Sequence, residues 1–380
     1  MGLLKKFIYI FSLSIILTGC TTSILLVKSR IDEKAYTMFG KTPQKTFFVP
    51  IDITESIKLK WESDTRGALT NSSVTVSDSI VFVNDLYGRV YAFNFYNGKK
   101  YGEIRNKGAV YTTPVISNLW VVFVVSMEED DMSKFIMYNF TIAKSFREVD
   151  IEGRVETEIL KTPDGFIVTT LDGDVIKYND FGIFQWKTKT EYAIRCNSTF
   201  FNEKIYFGND NGEIISINNS DGKVNYKKKI DGMFRSGNII ENSKLFITNV
   251  NGILYCLNIK KGEIIWKYQS NSDIMMTPVI DNSNIYIGNL SGSFYSIDKN
   301  NGQKKWEINT DGLFNITPLV TNNVVIVPDF NKKILLIDKQ NGTIKNTLEL
   351  KGRAKLSPVI YKNTLFVGYD RGNLQAYEIN

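Results

Sequence analysis

The stretch Gly292-Ser293-Phe294-Tyr295-Ser296-Ile297-Asp298-Lys299-Asn300-Asn301-Gly302-Gln303-Lys304-Lys305-Trp306 decides how the chain folds. Its first half alternates as a strand does, Asn301-Gly302 is a tight-turn pair in which both residues accept positive φ, and the second half leads to a tryptophan. The pattern returns upstream as Gly252…Asn258…Gly262…Trp266 and as Gly212…Asn218…Gly222…Tyr226. Further copies are Gly173…Asn179…Gly182…Trp186, one residue shorter in the turn, and Gly88…Asn94…Gly98. Downstream come Lys332…Asp338…Gly342 and Gly372 to Glu378, and a degenerate copy is expected around Ser133 to Asn139. Eight anchors at intervals of about 40 residues define a repeat protein.

Each repeat reads as four short strands. A first strand opens at Thr277-Pro278-Val279, Thr317-Pro318-Leu319 or Ser357-Pro358-Val359, a second is Asn284 to Gly288, and the third and fourth flank the Asn-Gly turn. Four strands per 40 residues predict an all-β fold, an eight-bladed β-propeller of four-stranded antiparallel blades. The last repeat stops at Asn380 after its third strand, while a lone strand from Ile57 to Glu62 precedes the first repeat. That N-terminal strand is expected to complete the eighth blade and close the ring. Trp61, Trp186, Trp266 and Trp306 hold equivalent places in the repeat and are expected to pack between adjacent blades. Trp120 lies outside the pattern.

The first 20 residues read as an address. Lys5 and Lys6 precede an apolar run from Phe7 to Leu17, which is short for a membrane span, and Leu17-Thr18-Gly19-Cys20 resembles a bacterial lipobox. Residues 1–19 are thus expected to be a signal peptide, Cys20 the lipidated residue, 20–54 a tether and 55–380 the propeller. Thr21 after the cysteine favours the outer membrane, with the protein facing the periplasm.

Composition removes several functions. The 380 residues contain no histidine, so Ser-His-Asp and Cys-His nucleophile systems and imidazole proton shuttles are absent. A formal charge of +6 is spread without a basic run, which implies no nucleic-acid partner. Glu128-Glu129-Asp130-Asp131 lacks the alternating spacing of a calcium loop and reads as a solvated turn, and Cys196 and Cys256 read as buried free thiols.

The segment Ser296-Ile297-Asp298…Gly302-Gln303-Lys304-Lys305-Trp306 resembles the tryptophan-docking repeat of the pyrroloquinoline quinone propellers. That superfamily includes quinoprotein dehydrogenases and the BamB family, lipoprotein subunits of the machine that inserts β-barrels into bacterial outer membranes. The dehydrogenase branch implies a longer chain and a vicinal cysteine pair, and this sequence has no Cys-Cys dipeptide. The lipobox, tether and closing strand are similar to BamB. The resemblance implies a non-catalytic scaffold without cofactor, a monomer within a hetero-complex, binding the POTRA domains of BamA and unfolded outer-membrane proteins; the alternatives are a pyrroloquinoline quinone-dependent dehydrogenase-like enzyme and a generic extracytoplasmic propeller binding another envelope partner. Tyr192-Ala193-Ile194-Arg195 stands where BamB carries a Leu-x-Leu-Arg contact motif, so Tyr192 and Ile194 would take the apolar places and Arg195 the arginine. Tyr192 departs from leucine, and acidic residues carried nearby in the family are missing at Gly232 to Phe234.

Overall fold

The computed structural model of the chain describes residues 34–54 and 56–379. Among these, strands assemble into eight four-stranded sheets, every pairing antiparallel. Blades 1 to 7 are consecutive in sequence, from Thr75–Ser77 at the start of blade 1 to Ile344–Glu349 at the end of blade 7. Blade 8 combines Val359–Tyr361, Thr364–Tyr369 and Asn373–Ile379 with the N-terminal strand Ile57–Asp64, which pairs Trp61 with Ala376. The degenerate copy is a full blade, its third strand spanning Met132–Asn139 and its turn carrying Ala143 at positive φ where other blades have glycine.

One irregularity recurs in every blade. Where the fourth strand pairs with the third, the register slips by one residue immediately before the docking position, as between Cys256↔Trp266 and Leu257↔Ile264, or Leu59↔Tyr377 and Trp61↔Ala376. Such a bulge bends the outer strand and re-aims the next side chain. The tryptophans thereby turn onto the neighbouring blade. A Cβ on Gly222 would lie 2.6 Å from Trp186 Cε3, and one on Gly302 2.6 Å from Trp266 Cε3, so only glycine lets the turn rest on the ring. Trp61 meets Gly98 and Trp306 meets Gly342 in the same way. The indole N–H of Trp61, Trp186 and Trp306 donates to the carbonyls of Phe95, Asn219 and Lys339 at 2.9, 2.9 and 3.0 Å. Tyr226 covers Gly262, and Arg147 with Met137 covers Gly182.

Closing the ring does not satisfy the inner edges. The first strand of each blade faces the axis with unpaired N–H groups, which need acceptors. Much of the expected tether supplies them: residues 34–54 are built into the propeller, not draped outside it. Val76, Ile116, Phe200 and Val320 donate their N–H to the carbonyls of Tyr36, Thr37, Pro43 and Phe47 at 2.8, 2.8, 3.0 and 2.9 Å. Tyr36 pairs antiparallel with Val76 and Phe48 parallel with Val320. The segment therefore rises along blade 1, turns at Gly40 to Thr42, and descends along blade 7 to Ile51 and Ile53, which bond Asn322 and Asn323. Tyr36, Phe39, Phe47 and Lys45 are buried on the axis, and Phe39 meets Phe47 edge to face at 5.0 Å. Residues 1–33, with the expected signal peptide and Cys20, lie outside the described residues.

Candidate functional site

The two ends of the propeller differ. One end carries the turns joining first to second and third to fourth strands. The other carries the loops joining second to third strands and the connections between blades, and it holds Tyr192, Ile194 and Arg195.

The repeat places these three residues differently from one another. Ile194 is fully buried, at the repeat position occupied by Phe234, Ile274 and Phe314 in the next three blades, all of them buried. It packs with Leu160, Phe200 and Phe207 and offers no surface to a partner. The expectation that it forms an exposed anchor is corrected, because this position caps the core of every blade. Aligning the repeats at 40-residue spacing would have revealed it. Tyr192 is 42% exposed, beside the turn glycine Gly173. Arg195 is half-exposed and pairs with Asp210.

Arg235, which sequence reading missed, sits one repeat later in the same column as Arg195. Its guanidinium donates to both oxygens of the same Asp210 at 3.2 and 3.1 Å. One carboxylate thus serves two guanidiniums and leaves the cluster positive. Met233 and Met275, each 37% exposed, lie beside it. Arg195, Arg235 and Met275 rim a funnel of about 440 Å³ whose floor is Phe39 and whose walls include Glu156, Asn197 and Leu313.

Below the funnel a polar ring links the blades. The N–H groups of Ser73, Thr113, Glu158 and Gly237 donate to Thr113, Glu158, Asn197 and Thr277 side chains at 2.9, 2.6, 2.8 and 2.9 Å. Glu158 is the only carboxylate among those acceptors, and Lys45 of the axial segment is its cationic counterpart. Burial drives the Glu158 acid up to about 7 and the Lys45 amine down to about 8, each opposed by attraction between the two. The Lys45 ammonium has no hydrogen-bond partner among the described residues and lies over the Phe39 ring at 5.8 Å. Cys196 and Cys256 are buried free thiols, and burial pushes Cys196 up to about 11.

The acidic run Glu128–Asp131 projects from the turn after the second strand of blade 2, where Tyr111 donates to Glu128 at 2.8 Å beside a cavity of about 500 Å³. Among the described residues no cluster of three or more metal-ligating side chains forms there or elsewhere. Trp120 stacks on Phe146 at 4.3 Å within blade 2.

The fold and its tryptophan-glycine blade contacts define an eight-bladed repeat propeller. A family model described as outer membrane protein assembly factor BamB matches residues 171–277 and 269–380. The chain belongs to that family. No curated protein matches. Among solved structures, BamB from Moraxella catarrhalis is similar at a TM-score of 0.72 and 12% identity, covering 85% of this chain and 100% of that one. A quinohemoprotein alcohol dehydrogenase from Pseudomonas putida HK5 is similar at a TM-score of 0.78 and 11% identity, covering 94% of this chain and 83% of that one. The designed protein Ika8 matches at a TM-score of 0.74 and 11% identity, covering 85% of this chain and all of that one. At such identities these likenesses speak to the fold.

Proposed function

We propose that this chain is a non-catalytic scaffold of the outer-membrane β-barrel assembly machine, held at the periplasmic face of the outer membrane by lipid on Cys20. Family membership is the observation that carries the reading. The filled axis supports it: with Lys45 and Phe47 fully buried where a propeller can hold a ligand, binding is left to the faces and rim. The partner is a POTRA domain of BamA. Tyr192, Arg195, Arg235 and the two methionines form the anchor, an aromatic and arginines beside flexible apolar side chains. Unfolded outer-membrane proteins are the second class of partner.

Co-purification of the mature lipoprotein with BamA tests this. Arg195→Glu combined with Arg235→Glu should weaken the complex at least about tenfold, the scale of losing an interface hot spot. Ile194→Ala should instead lower stability. No complex at low salt, with normal outer-membrane protein levels in a deletion strain, overturns the assignment. The likeness to a quinohemoprotein dehydrogenase favours one competing reading, an enzyme. Purified protein mixed with calcium and pyrroloquinoline quinone should show neither quinone absorbance nor dye reduction with alcohols.

A further inference from the structure

The axial segment enters and leaves the propeller at the same end. Tyr36 runs antiparallel to the first strand of blade 1, so the chain before it approaches from the end where first strands turn into second strands. After Phe48, parallel to the first strand of blade 7, it returns to that end beside Asn322 and Asn323. The Tyr192–Arg195 rim is at the opposite end. Cys20 is fourteen residues before Lys34, so an anchor there is within about 50 Å of the point of entry even with the chain fully extended.

At the entry end the blades are unequal. In blades 4 to 7 the turns between third and fourth strands contain Ser220-Asp221, Lys260-Lys261, Asn300-Asn301 and Gln340-Asn341, all polar. In blades 1 to 3 the same turns present Tyr96, Ile142, Phe181 and Ile183, exposed by 55, 62, 59 and 49%. Leu119, in the neighbouring turn of blade 2, is exposed as well, whereas exposed apolar residues at the start of the outer strands are common to both halves of the ring: Phe146 and Phe184 on blades 2 and 3, Val224, Ile265 and Ile344 on blades 4, 5 and 7. These tips adjoin one another: the blade 3 turn rests on Arg147 next to Phe146, through Gly182. Cations flank them, Lys60 lying over the Phe95 and Tyr96 rings at 4.7 and 5.9 Å and Lys362 over Phe95 at 5.8 Å. Exposed apolar residues are ordinary when scattered; five on the turns of three successive blades, beside the entering N-terminal segment, are not scattered.

We propose that the turn end of blades 1 to 3 docks on the phospholipid surface. Aromatic and aliphatic tips enter the headgroup region while the lysines stay with lipid phosphates. Docking fixes what a tether leaves loose, turning the Tyr192–Arg195 rim away from the bilayer and toward the aqueous side. The inference rests on the reading of Cys20 as the lipid anchor.

The test uses the full lipidated chain in vesicles of phosphatidylethanolamine and phosphatidylglycerol. Cys196 and Cys256 are buried, so an environment-sensitive dye reports single sites introduced as Ile142→Cys or, at the opposite end, Tyr192→Cys. The dye at 142 should shift to the blue and be quenched by lipids brominated in their chains, whereas the dye at 192 should do neither. Adding Tyr96→Ser, Phe181→Ser and Ile183→Ser should abolish the shift at 142 while the protein still floats with the vesicles. Flotation with equal responses at 142 and 192 overturns docking and leaves the anchor standing. Failure to float overturns the anchor and docking with it. Shielding at 142 that appears only on adding a protein partner assigns the patch to that partner and overturns the lipid proposal.

Discussion

The blade interfaces and the central axis solve the same problem, covering sheet that would otherwise face water, by opposite means. At the interfaces one device repeats: a bulge, an aromatic, and a glycine turn that receives it. On the axis one stretch of chain touches several blades, each of its residues meeting a different neighbour. The first is local and periodic, the second depends on the ring being closed. Their difference implies a hierarchy, in which loss of one docking contact loosens a pair of blades while loss of the axial segment exposes the inner edge of the whole ring.

The largest effect is therefore expected on the axis. Phe47→Ala removes a fully buried ring packed against Phe39 in the largest apolar cluster, and should cost about 4 kcal/mol. Urea denaturation followed by tryptophan fluorescence measures it. A cost below that of a docking tryptophan would show that the segment only lines the channel. Trp186→Ala comes next, at about 3 kcal/mol, since it empties the space against Gly222 and leaves the Asn219 carbonyl without its indole donor. Trp266→Ala should cost less than Trp186→Ala, because its indole N–H has no partner among the described residues and its ring is less buried.

Acidity separates the two regions further. Glu158 has its folded acid raised from 4.5 to about 7, so between those values the folded chain keeps a proton that the unfolded chain releases. Its contribution is fully present below pH 4.5 and is lost as pH rises toward 7. Lys45, lowered from 10.5 to about 8, contributes stability above 10.5 that is lost as pH falls toward 8, and the pair is least favourable near neutrality. Carboxylates held low, such as Asp164 at about 2, act only at more acidic pH. Thermal midpoints should rise on acidification from pH 7 to 5, and Glu158→Gln should flatten that rise, an effect of at most about 3 kcal/mol. No change in slope would mean the pair is hydrated.

What could be read in the sequence follows the same division. The eight blades, the closing strand and four docking tryptophans were legible because each is written in the repeat column by column. The axial segment was not: its partners recur around the ring instead of along its own chain, so residues 34–54 show neither period 2 nor period 3.6. Their apolar density, with Phe39, Phe47, Phe48 and Val49, was the available signal. Arg235 and the burial of Ile194 are both written in the repeat columns, since in a propeller the neighbours of a face are 40 residues apart, whereas a motif of four consecutive residues crosses from surface to core.

The smallest effects test whether bulk is conserved at the interfaces where the aromatic is missing. Pairing puts Gly102 at the docking position of blade 1, and the turn of blade 2 that faces it has Ala143 at φ 54° in place of glycine. Ala143, Tyr101 and Ile104 all pack against the same apolar cluster, at an interface that has no indole. Gly302→Ala should cost about 2 kcal/mol, because φ is 73° and the added methyl meets the Trp266 ring. Ala143→Gly removes a little packing but relieves a left-handed backbone, and the two should cancel to within about 0.5 kcal/mol. Equal responses in denaturation midpoint would mean that φ alone selects residues at these turns. The expected inequality, with Trp266→Ala rescuing Gly302→Ala in a double-mutant cycle, would show that turn and ring were chosen as a pair.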